Sequence, residues 1–298
     1  MSKTLSSDTS SLWHPGLAIC GTVITWASSF AAIGFALREI TPLPLASVRF
    51  AIAAAFALAW LLWRRPSGLS VRDLGVLALC GVLGIACYNI LLNLGQTDVS
   101  AGAASFIVNT QPLFMAMLGV IFLKESFNRW SWIGAALGFC GVAIIAWGQK
   151  GGLAFGSGAS LIVGAAFAAA IYSVLQRPLL RRQASLDVTA LVLIAGCVAL
   201  LPWLVSGLRQ MANGTTETRL MLVFLAIGPG IIGQACWTVA IKGFGAARAG
   251  QFLYLVPPMA ILLAWLVLGE VPSATTLLGG GLALLGVILV NSKGRQLR

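Results

Sequence analysis

The segment Pro112-Leu-Phe-Met-Ala-Met-Leu-Gly-Val-Ile-Phe-Leu-Lys-Glu125 is answered 145 residues later by Pro257-Pro-Met-Ala-Ile-Leu-Leu-Ala-Trp-Leu-Val-Leu-Gly-Glu270. Each segment reads proline, eleven mostly apolar residues, one further residue and glutamate. The same shift superposes small residues on either side: Gly134 on Gly279, Gly141 on Gly286 and Ala104 on Ala249. Apolar helices resemble one another by chance, but a shared proline, glutamate and two glycines in one register rarely do. The sequence therefore predicts two copies of one structural unit.

The composition predicts that both copies lie in a membrane. Of the 298 residues, 59% are hydrophobic and a further 34 are glycine, whereas only 19 are Lys or Arg and 8 are Asp or Glu. A soluble domain of this length cannot bury so much apolar surface. These numbers exclude a soluble enzyme, a disordered protein and an outer-membrane barrel, whose strands would alternate polar and apolar residues. The fold class predicted is an all-α membrane protein.

Ten apolar runs are long enough to cross a bilayer core, which needs about 20 helical residues. We predict these spans at 16–37, 44–63, 73–94, 102–123, 130–148, 157–177, 187–207, 220–241, 248–268 and 274–291. Each copy holds five spans, an odd number, so the second copy must enter the membrane with reversed orientation. The predicted organisation is a tail at 1–15, a five-helix repeat at 16–148, an inverted five-helix repeat at 157–291 and a tail at 292–298. Inverted repeats are typical of secondary transporters.

The net charge of +11 is spread between the apolar runs instead of being clustered on one surface. We therefore attribute it to membrane topology and expect no nucleic-acid partner. With the N-terminus placed in the cytoplasm, 14 Lys and Arg fall on the inner side and 5 on the outer side. This asymmetry predicts a multi-pass protein of a bacterial-type inner membrane with both termini cytoplasmic. Glu125 then lies on the cytoplasmic side and Glu270 on the outer side.

The interiors of the predicted spans lack acidic residues, because all eight Asp and Glu lie at span ends or in loops. A proton relay or Na⁺ site built on carboxylates is therefore disfavoured, and the lack of a Lys/Arg cluster disfavours phosphorylated substrates. Neither H-E-x-x-H nor G-x-S-x-G occurs, and the six cysteines form no C-x-x-C pair. We predict no catalytic residues, no metal and no cofactor.

Prolines interrupt equivalent spans of the two repeats. Pro112 and Pro257 each remove a backbone donor near the middle of a helix, and Pro229 does the same between two glycines. Broken helices at matching positions point to a central site, so we assign these prolines to hinges or the cavity wall, with passive kinks as the alternative.

Arg49 is the one basic residue well inside a span. It either snorkels to the interface or acts as a gate, an inter-repeat contact or a partner for a substrate carboxylate.

Uncharged polar and aromatic residues surround these breaks. The candidate substrate-binding residues are Trp26, Ser28, Ser29, Tyr88, Asn89, Asn109, Gln111, Tyr172, Gln234, Trp237 and Tyr254. Taken singly, such residues also form interfacial belts or bond helices together. As a set they predict a pocket of aromatic faces, amides and hydroxyls, which suits a small amphipathic solute such as a neutral amino acid.

Small residues recur at i and i+4 in the fifth and tenth spans, as Gly134 with Gly138 and Gly279 with Ala283. Such faces allow two helices to approach closely. The contact lies either within one chain or at a dimer seam, so a monomer and a homodimer are both open.

The pattern of proline, apolar run, Leu-x-Glu and glycine-rich helix, present twice, resembles the drug/metabolite transporter (DMT) superfamily and, more narrowly, the EamA-type exporters. The likeness runs from Trp26 to Gly286, and Arg49 falls where such proteins often carry an arginine. Trp26 within Thr-Trp-Ala-Ser-Ser, together with Tyr88 and Asn89, resembles the YddG-type amino acid exporters of that group. The resemblance implies ten transmembrane helices in two inverted five-helix repeats, and export of amino acids, including aromatic or hydrophobic ones.

These observations predict a secondary transporter that moves small neutral metabolites, foremost amino acids, outward by alternating access. Export of drugs, purines or sugars on the same fold is the alternative. A channel and an intramembrane enzyme are disfavoured. The expected partners are a small-molecule substrate and the lipid bilayer.

Overall fold

The computed structural model describes residues 15–66, 68–123, 129–149, 157–244, 249 and 252–293. Helices are the only regular elements in these ranges. We number them α1 (Pro15–Ala36), α2 (Pro42–Arg64), α3 (Val71–Gly95), α4 (Ala101–Val108), α5 (Gln111–Leu123), α6 (Arg129–Trp147), α7 (Gly158–Leu180), α8 (Ser185–Asn213), α9 (Thr216–Phe244), α10 (Leu253–Leu268) and α11 (Ala274–Lys293). Glu125 and most of both predicted tails lie outside the described residues.

Length and apolarity identify the helices able to cross a membrane. Within the described ranges, α1, α2, α3, α7, α8 and α9 have at least 18 residues and are apolar enough to do so. The apolar parts of α6, α10 and α11 are shorter: Trp132–Trp147, Leu253–Leu268 and Ala274–Gly286. The chain is therefore the all-α membrane protein that the composition predicts, whereas the count of ten spans stays a prediction.

The connection between the seventh and eighth predicted spans is more helical than expected. Hydropathy predicts that the seventh span ends at residue 207, but α8 continues to Asn213. Its extension is tied to the start of α2, because Gln210 Oε1 accepts a hydrogen bond from the Thr41 backbone N–H at 2.8 Å. Hydropathy places these polar residues in a loop. It detects only apolar segments, so it does not detect a helix whose last turns are polar.

Both halves of the chain carry helix irregularities at nearly the same positions of the repeat. α3 contains a π-helical segment at Val82–Cys87 and α9 contains one at Ala226–Gly233, which begin 144 residues apart (82 and 226). The break between α4 and α5 follows Val108, and the 3₁₀ turn that opens α10 begins 145 residues later at Leu253. π-helical turns are concentrated at functional sites, and all four irregularities contribute residues to one cavity.

Helices of one half pack against helices of the other half. α1 packs against α9 and α10, and α7 makes the corresponding contacts with α3 and with the α4–α5 pair. α2 packs along α8, and α6 packs along α11. When 145 is added to or subtracted from the residue numbers, the contacts of α1 become those of α7, and the pairs α2–α8 and α6–α11 are unchanged. Two equivalent halves require this pattern.

Glycines bring α6 and α11 into backbone contact. A Cβ added at Gly141 would overlap the carbonyl oxygen of Gly279, and one added at Gly286 would overlap that of Gly134. The small-residue faces of the fifth and tenth predicted spans therefore meet within this chain. Of the two arrangements left open by the sequence, the structure contains the intramolecular one.

We expect Gly286→Ala to destabilise the α6–α11 pair. Its new methyl would overlap backbone atoms of Gly134 and Gly138, which cannot yield without separating the helices, and overpacking of this kind costs about 1–3 kcal/mol. Gly281→Ala is the matched control in the same helix, since nothing lies within 4 Å of its added Cβ. Thermal unfolding of both variants in one detergent measures the difference. Equal midpoints for the two variants would contradict the proposed packing.

The first turns of α3 and α9 are both held by the opposite half. Their N-cap residues, Ser70 and Thr215, are 145 residues apart. Arg182, just after α7, donates to Asp73 of α3 at 2.8 Å. Glu39, just after α1, accepts from the Thr215 backbone N–H at 2.9 Å, and this bond is the main cause that holds the pKa of the Glu39 carboxyl below its usual value. The equivalent junctions are thus alike in position and different in chemistry.

Candidate binding cavity

The helix irregularities of both halves meet at one cavity. Its volume is about 60 Å³ for the positions open to the centre of a water molecule, which is room for several waters. Its wall comes from α1, α2, α3, α4, α5, α7, α9 and α10 and from the α4–α5 break. The cavity therefore lies at the interface between the two halves.

Twelve of the fifteen candidate binding and hinge residues line this cavity: Trp26, Ser29, Arg49, Tyr88, Asn89, Asn109, Gln111, Pro112, Tyr172, Pro229, Gln234 and Trp237. The other three do not. Ser28 donates its hydroxyl to the Thr25 carbonyl of its own helix at 2.9 Å. Tyr254 and Pro257 lie beside the lining residues Leu253 and Val256, respectively, without being part of the wall.

Nine further lining residues were not among our candidates: Phe30, Phe50, Gly84, Leu92, Val108, Ala169, Ser173, Leu253 and Val256. Eight of them are apolar or glycine. An apolar side chain that faces a cavity carries the same sequence signal as one that faces lipid, so these eight had no distinguishing signal. Ser173 did have one, because the shift of 145 residues superposes Ser28 on it.

Arg49 links the two halves at the cavity wall. Its Nε donates to the Leu225 carbonyl at 3.0 Å and its Nη1 donates to Asn89 Oδ1 at 3.1 Å. The guanidinium also lies over the Phe50 ring, 4.8 Å from the centroid. With 5% of the residue exposed, Arg49 is buried and hydrogen-bonded to both halves.

Pro229 explains why the Leu225 carbonyl is available to Arg49. In a regular α-helix this carbonyl would accept from the backbone N–H of residue 229, which proline lacks. The π-helical segment of α9 begins at the next residue, Ala226. Pro229 therefore removes one donor that would compete with Arg49 for this carbonyl.

Aromatic rings in the wall pack against glycines of the opposite half. A Cβ added at Gly84 would overlap the Tyr172 ring, and one added at Gly233 would lie 2.7 Å from Trp26 Nε1. Trp26 also packs against Trp237, with ring centroids 5.3 Å apart. The contact at Gly84 joins α3 to α7, and the contact at Gly233 joins α9 to α1. In both cases the ring lies on the first helix of one half and the glycine lies in the other half. These rings give the cavity apolar faces of defined position.

Gln111 is positioned at the start of α5 by the opposite half. Its Nε2 donates to Ser173 Oγ at 3.1 Å and to the Ala169 carbonyl at 3.4 Å. The Ser173 hydroxyl in turn donates to the same carbonyl at 2.8 Å. The amide at the break of the fourth predicted span is therefore pre-organised by α7.

Three buried polar atoms of lining side chains have no hydrogen-bond partner: Asn109 Oδ1, Gln234 Oε1 and Trp237 Nε1. An unpaired buried polar group costs about 1–3 kcal/mol, so these atoms mark positions where a solute could bind. Arg49 is the only charged residue among the described lining residues. The described part of the chain also contains no group of three His, Cys, Asp or Glu residues that could hold a metal ion. The wall thus offers one cation, one spare N–H donor and two spare acceptors.

A helical membrane protein whose similar halves surround a cavity lined by aromatic, apolar and a few polar residues has the architecture of a membrane transporter. The EamA-like transporter family matches residues 15–147 and again residues 156–292, and the chain belongs to this family. The match confirms the resemblance inferred from the repeated motif. It also confirms the predicted class, a transporter and not an enzyme.

Two relatives and one solved structure are similar over nearly the whole chain. A "Probable terminal-alkyne amino-acid exporter" of Streptantibioticus cattleyicolor is 37% identical, with 93% of each chain covered. An "Uncharacterized inner membrane transporter YedA" of Escherichia coli (strain K12) is 28% identical, over 92% of this chain and 89% of that one. A crystal structure at 20% identity matches with a TM-score of 0.61 over 93% of this chain and 96% of the other, which supports the fold.

Proposed function

We propose that this protein exports small neutral amino acids and closely related metabolites by alternating access. The observation that carries the proposal is the make-up of the cavity wall. One buried arginine, spare amide oxygens and aromatic faces enclose the space, and none of the described lining residues is a carboxylate. The name of the S. cattleyicolor relative, an amino-acid exporter, supports the same substrate class.

The chemistry of the wall fits a solute that carries one carboxylate. Two donors of Arg49 are occupied by Leu225 and Asn89, which leaves other N–H groups of the guanidinium for a charge-assisted bond to a carboxylate. The spare indole N–H of Trp237 is a further donor in the same wall. A phosphate would need more positive charge than one arginine supplies.

The symmetry of the helix breaks supports alternating access. Two halves that carry helix irregularities at nearly equivalent positions can exchange conformations, which yields inward-open and outward-open states around a fixed site. In this proposal residues 16–148 and 157–291 are the inverted repeats, both termini are cytoplasmic and the protein lies in a bacterial inner membrane. Pro112, Pro229 and Pro257 are the hinge positions, with Arg49 as the contact that joins the halves.

The orientation is testable by cysteine accessibility. We expect Gln183→Cys, between α7 and α8, to react from the cytoplasm, and Val271→Cys, between α10 and α11, to react from outside. Both variants are made in a background whose six native cysteines are replaced by serine or alanine, and a membrane-impermeant maleimide is applied to intact cells and to inverted vesicles. Labelling of both positions from one side would contradict the inverted topology.

Transport is tested by counterflow in proteoliposomes. Vesicles loaded with unlabelled L-leucine should accumulate labelled L-leucine transiently above equilibrium, because a carrier exchanges one bound solute for another, whereas a channel only equilibrates. A competition series with L-phenylalanine, a purine, a sugar and a cationic drug defines the class. Counterflow driven only by drugs, purines or sugars would replace amino acids as the substrate, and equilibration without overshoot would replace the carrier by a channel.

A further inference from the structure

The break between α4 and α5 leaves a buried acceptor without a donor. Asn109 donates its side-chain Nδ2 to the Ser105 carbonyl at 3.4 Å, so the oxygen Oδ1 is the atom left over. The backbone N–H and hydroxyl of Thr110 both donate to the Ile107 carbonyl, so they do not reach Oδ1. Asn109 is 6% exposed and lines the cavity. Nothing within the described protein supplies the hydrogen bond that this oxygen requires.

A second acceptor lies one residue earlier. The carbonyl of Val108 would receive the N–H of residue 112 in a continuous helix, but that residue is Pro112. Val108 is the last residue of α4, where the aligned peptide dipoles concentrate partial negative charge. Half-helix ends of this kind favour cations at the centre of a membrane transporter.

The two halves differ in whether a basic side chain donates to their equivalent amides. A shift of 145 residues superposes Asn89 on Gln234, and both amides line the cavity. Asn89 Oδ1 accepts from Arg49, whereas the residue equivalent to Arg49 in the second half is Ile194. Gln234 Oε1 accordingly has no partner. One half of the cavity thus contains its own cation, and the other presents the same kind of amide with none.

We infer that Asn109 Oδ1, Gln234 Oε1 and the Val108 carbonyl bind the α-ammonium group of the substrate, while Arg49 binds its carboxylate. This inference rests on the proposed function and specifies its substrate class, an amino acid with both charged groups free. An ammonium group donates three hydrogen bonds and matches three acceptors. The site rejects a carboxylic acid without the amine, because the buried oxygens would then stay unpaired.

The experiment measures competition against labelled L-leucine counterflow in proteoliposomes. The competitors are L-leucine, N-acetyl-L-leucine and 4-methylpentanoate, which share the side chain and carboxylate and differ at the amine. For the unchanged protein we expect L-leucine to compete at least about tenfold more strongly than either analogue, as expected for loss of hydrogen bonds to a charged group. Asn109→Leu and Gln234→Leu should each weaken competition by L-leucine about tenfold and leave that by 4-methylpentanoate unchanged.

Two further variants separate binding from folding. Asn109→Asp keeps the size and an acceptor oxygen, so it should retain competition by L-leucine that Asn109→Leu loses. Asn213→Leu removes an exposed amide far along α8 and should behave like the unchanged protein. If Asn109→Asp fails together with Asn109→Leu, the requirement is for the amide itself and the ammonium assignment is overturned.

The outcomes distinguish the inference from the proposed function. Equal competition by L-leucine and its two analogues would overturn the ammonium site while leaving amino-acid export intact. An effect of Asn109→Leu that appears in Na⁺ buffer and vanishes when Na⁺ is replaced by choline would assign these oxygens to a metal cation instead, and would also overturn the inference. No counterflow of any amino acid would overturn the proposed function, and the inference with it.

Discussion

Arg49→Lys should lower amino-acid counterflow about tenfold or more, even though the charge is conserved. Arginine donates from two different nitrogens, to Leu225 in the second half and to Asn89 in the first. A lysine ammonium is a compact point charge that cannot reproduce this planar fork. Either the Leu225 carbonyl or Asn89 Oδ1 would lose its donor, at about 1–3 kcal/mol for a buried group.

The effect of this substitution should appear in stability as well as in transport, because Arg49 joins the two halves. Counterflow rates and thermal unfolding in detergent are therefore measured on the same preparation. Arg209→Lys is the matched control, since Arg209 is an exposed residue of α8 and should tolerate the exchange in both measurements. If Arg49→Lys matched Arg209→Lys in rate and midpoint, the bridge would have no functional role.

Gly84→Ala should reduce counterflow to a comparable extent by a steric route. The added methyl would overlap the ring of Tyr172, which is 4% exposed and packed between α3 and α7. A ring in a close-packed interior has few alternative positions. Because both residues line the cavity, the displaced ring would enter the space that a substrate needs.

A control and a rescue test this mechanism. Gly75→Ala lies in the same helix, and nothing lies within 4 Å of its added Cβ, so it should retain the rate of the unchanged protein. The double variant Gly84→Ala with Tyr172→Leu should recover part of the activity relative to Gly84→Ala alone, since the smaller side chain leaves room for the methyl. Failure of the double variant to exceed the single one would count against a displaced ring.

The helix irregularities beside prolines that recur after 145 residues could be predicted from the sequence. Pro112 and Pro257 mark the fourth and ninth predicted spans, where α4 ends at Val108 and a 3₁₀ turn begins 145 residues later at Leu253. Proline has the same local consequence wherever it occurs, since it lacks an N–H. Local rules of this kind transfer from sequence to structure without knowledge of the neighbours.

The role of Arg49 was not predictable in the same way. The sequence left open whether Arg49 snorkels to the interface, acts as a gate, makes an inter-repeat contact or pairs with a substrate carboxylate, because each of these roles suits a basic residue near a helix end. The choice depends on the Leu225 carbonyl, which accepts from Arg49 and is 176 residues away in the chain. The glycine faces of α6 and α11 are a second example. The sequence predicts that each face packs closely against a helix, and the structure shows that the two faces pack against each other.

The sequence by itself determined that this chain is a helical membrane protein built from two related halves, with prolines at equivalent positions of both. These properties follow from composition, from hydrophobic run length and from residues such as proline, each of which acts locally. Only the tertiary structure decided which side chains share one cavity and which acceptors there lack a donor. The reason is physical: a hydrogen bond across the cavity depends on the distance between helices far apart in the chain, and a side chain facing that cavity has the same identity as one facing lipid or another helix.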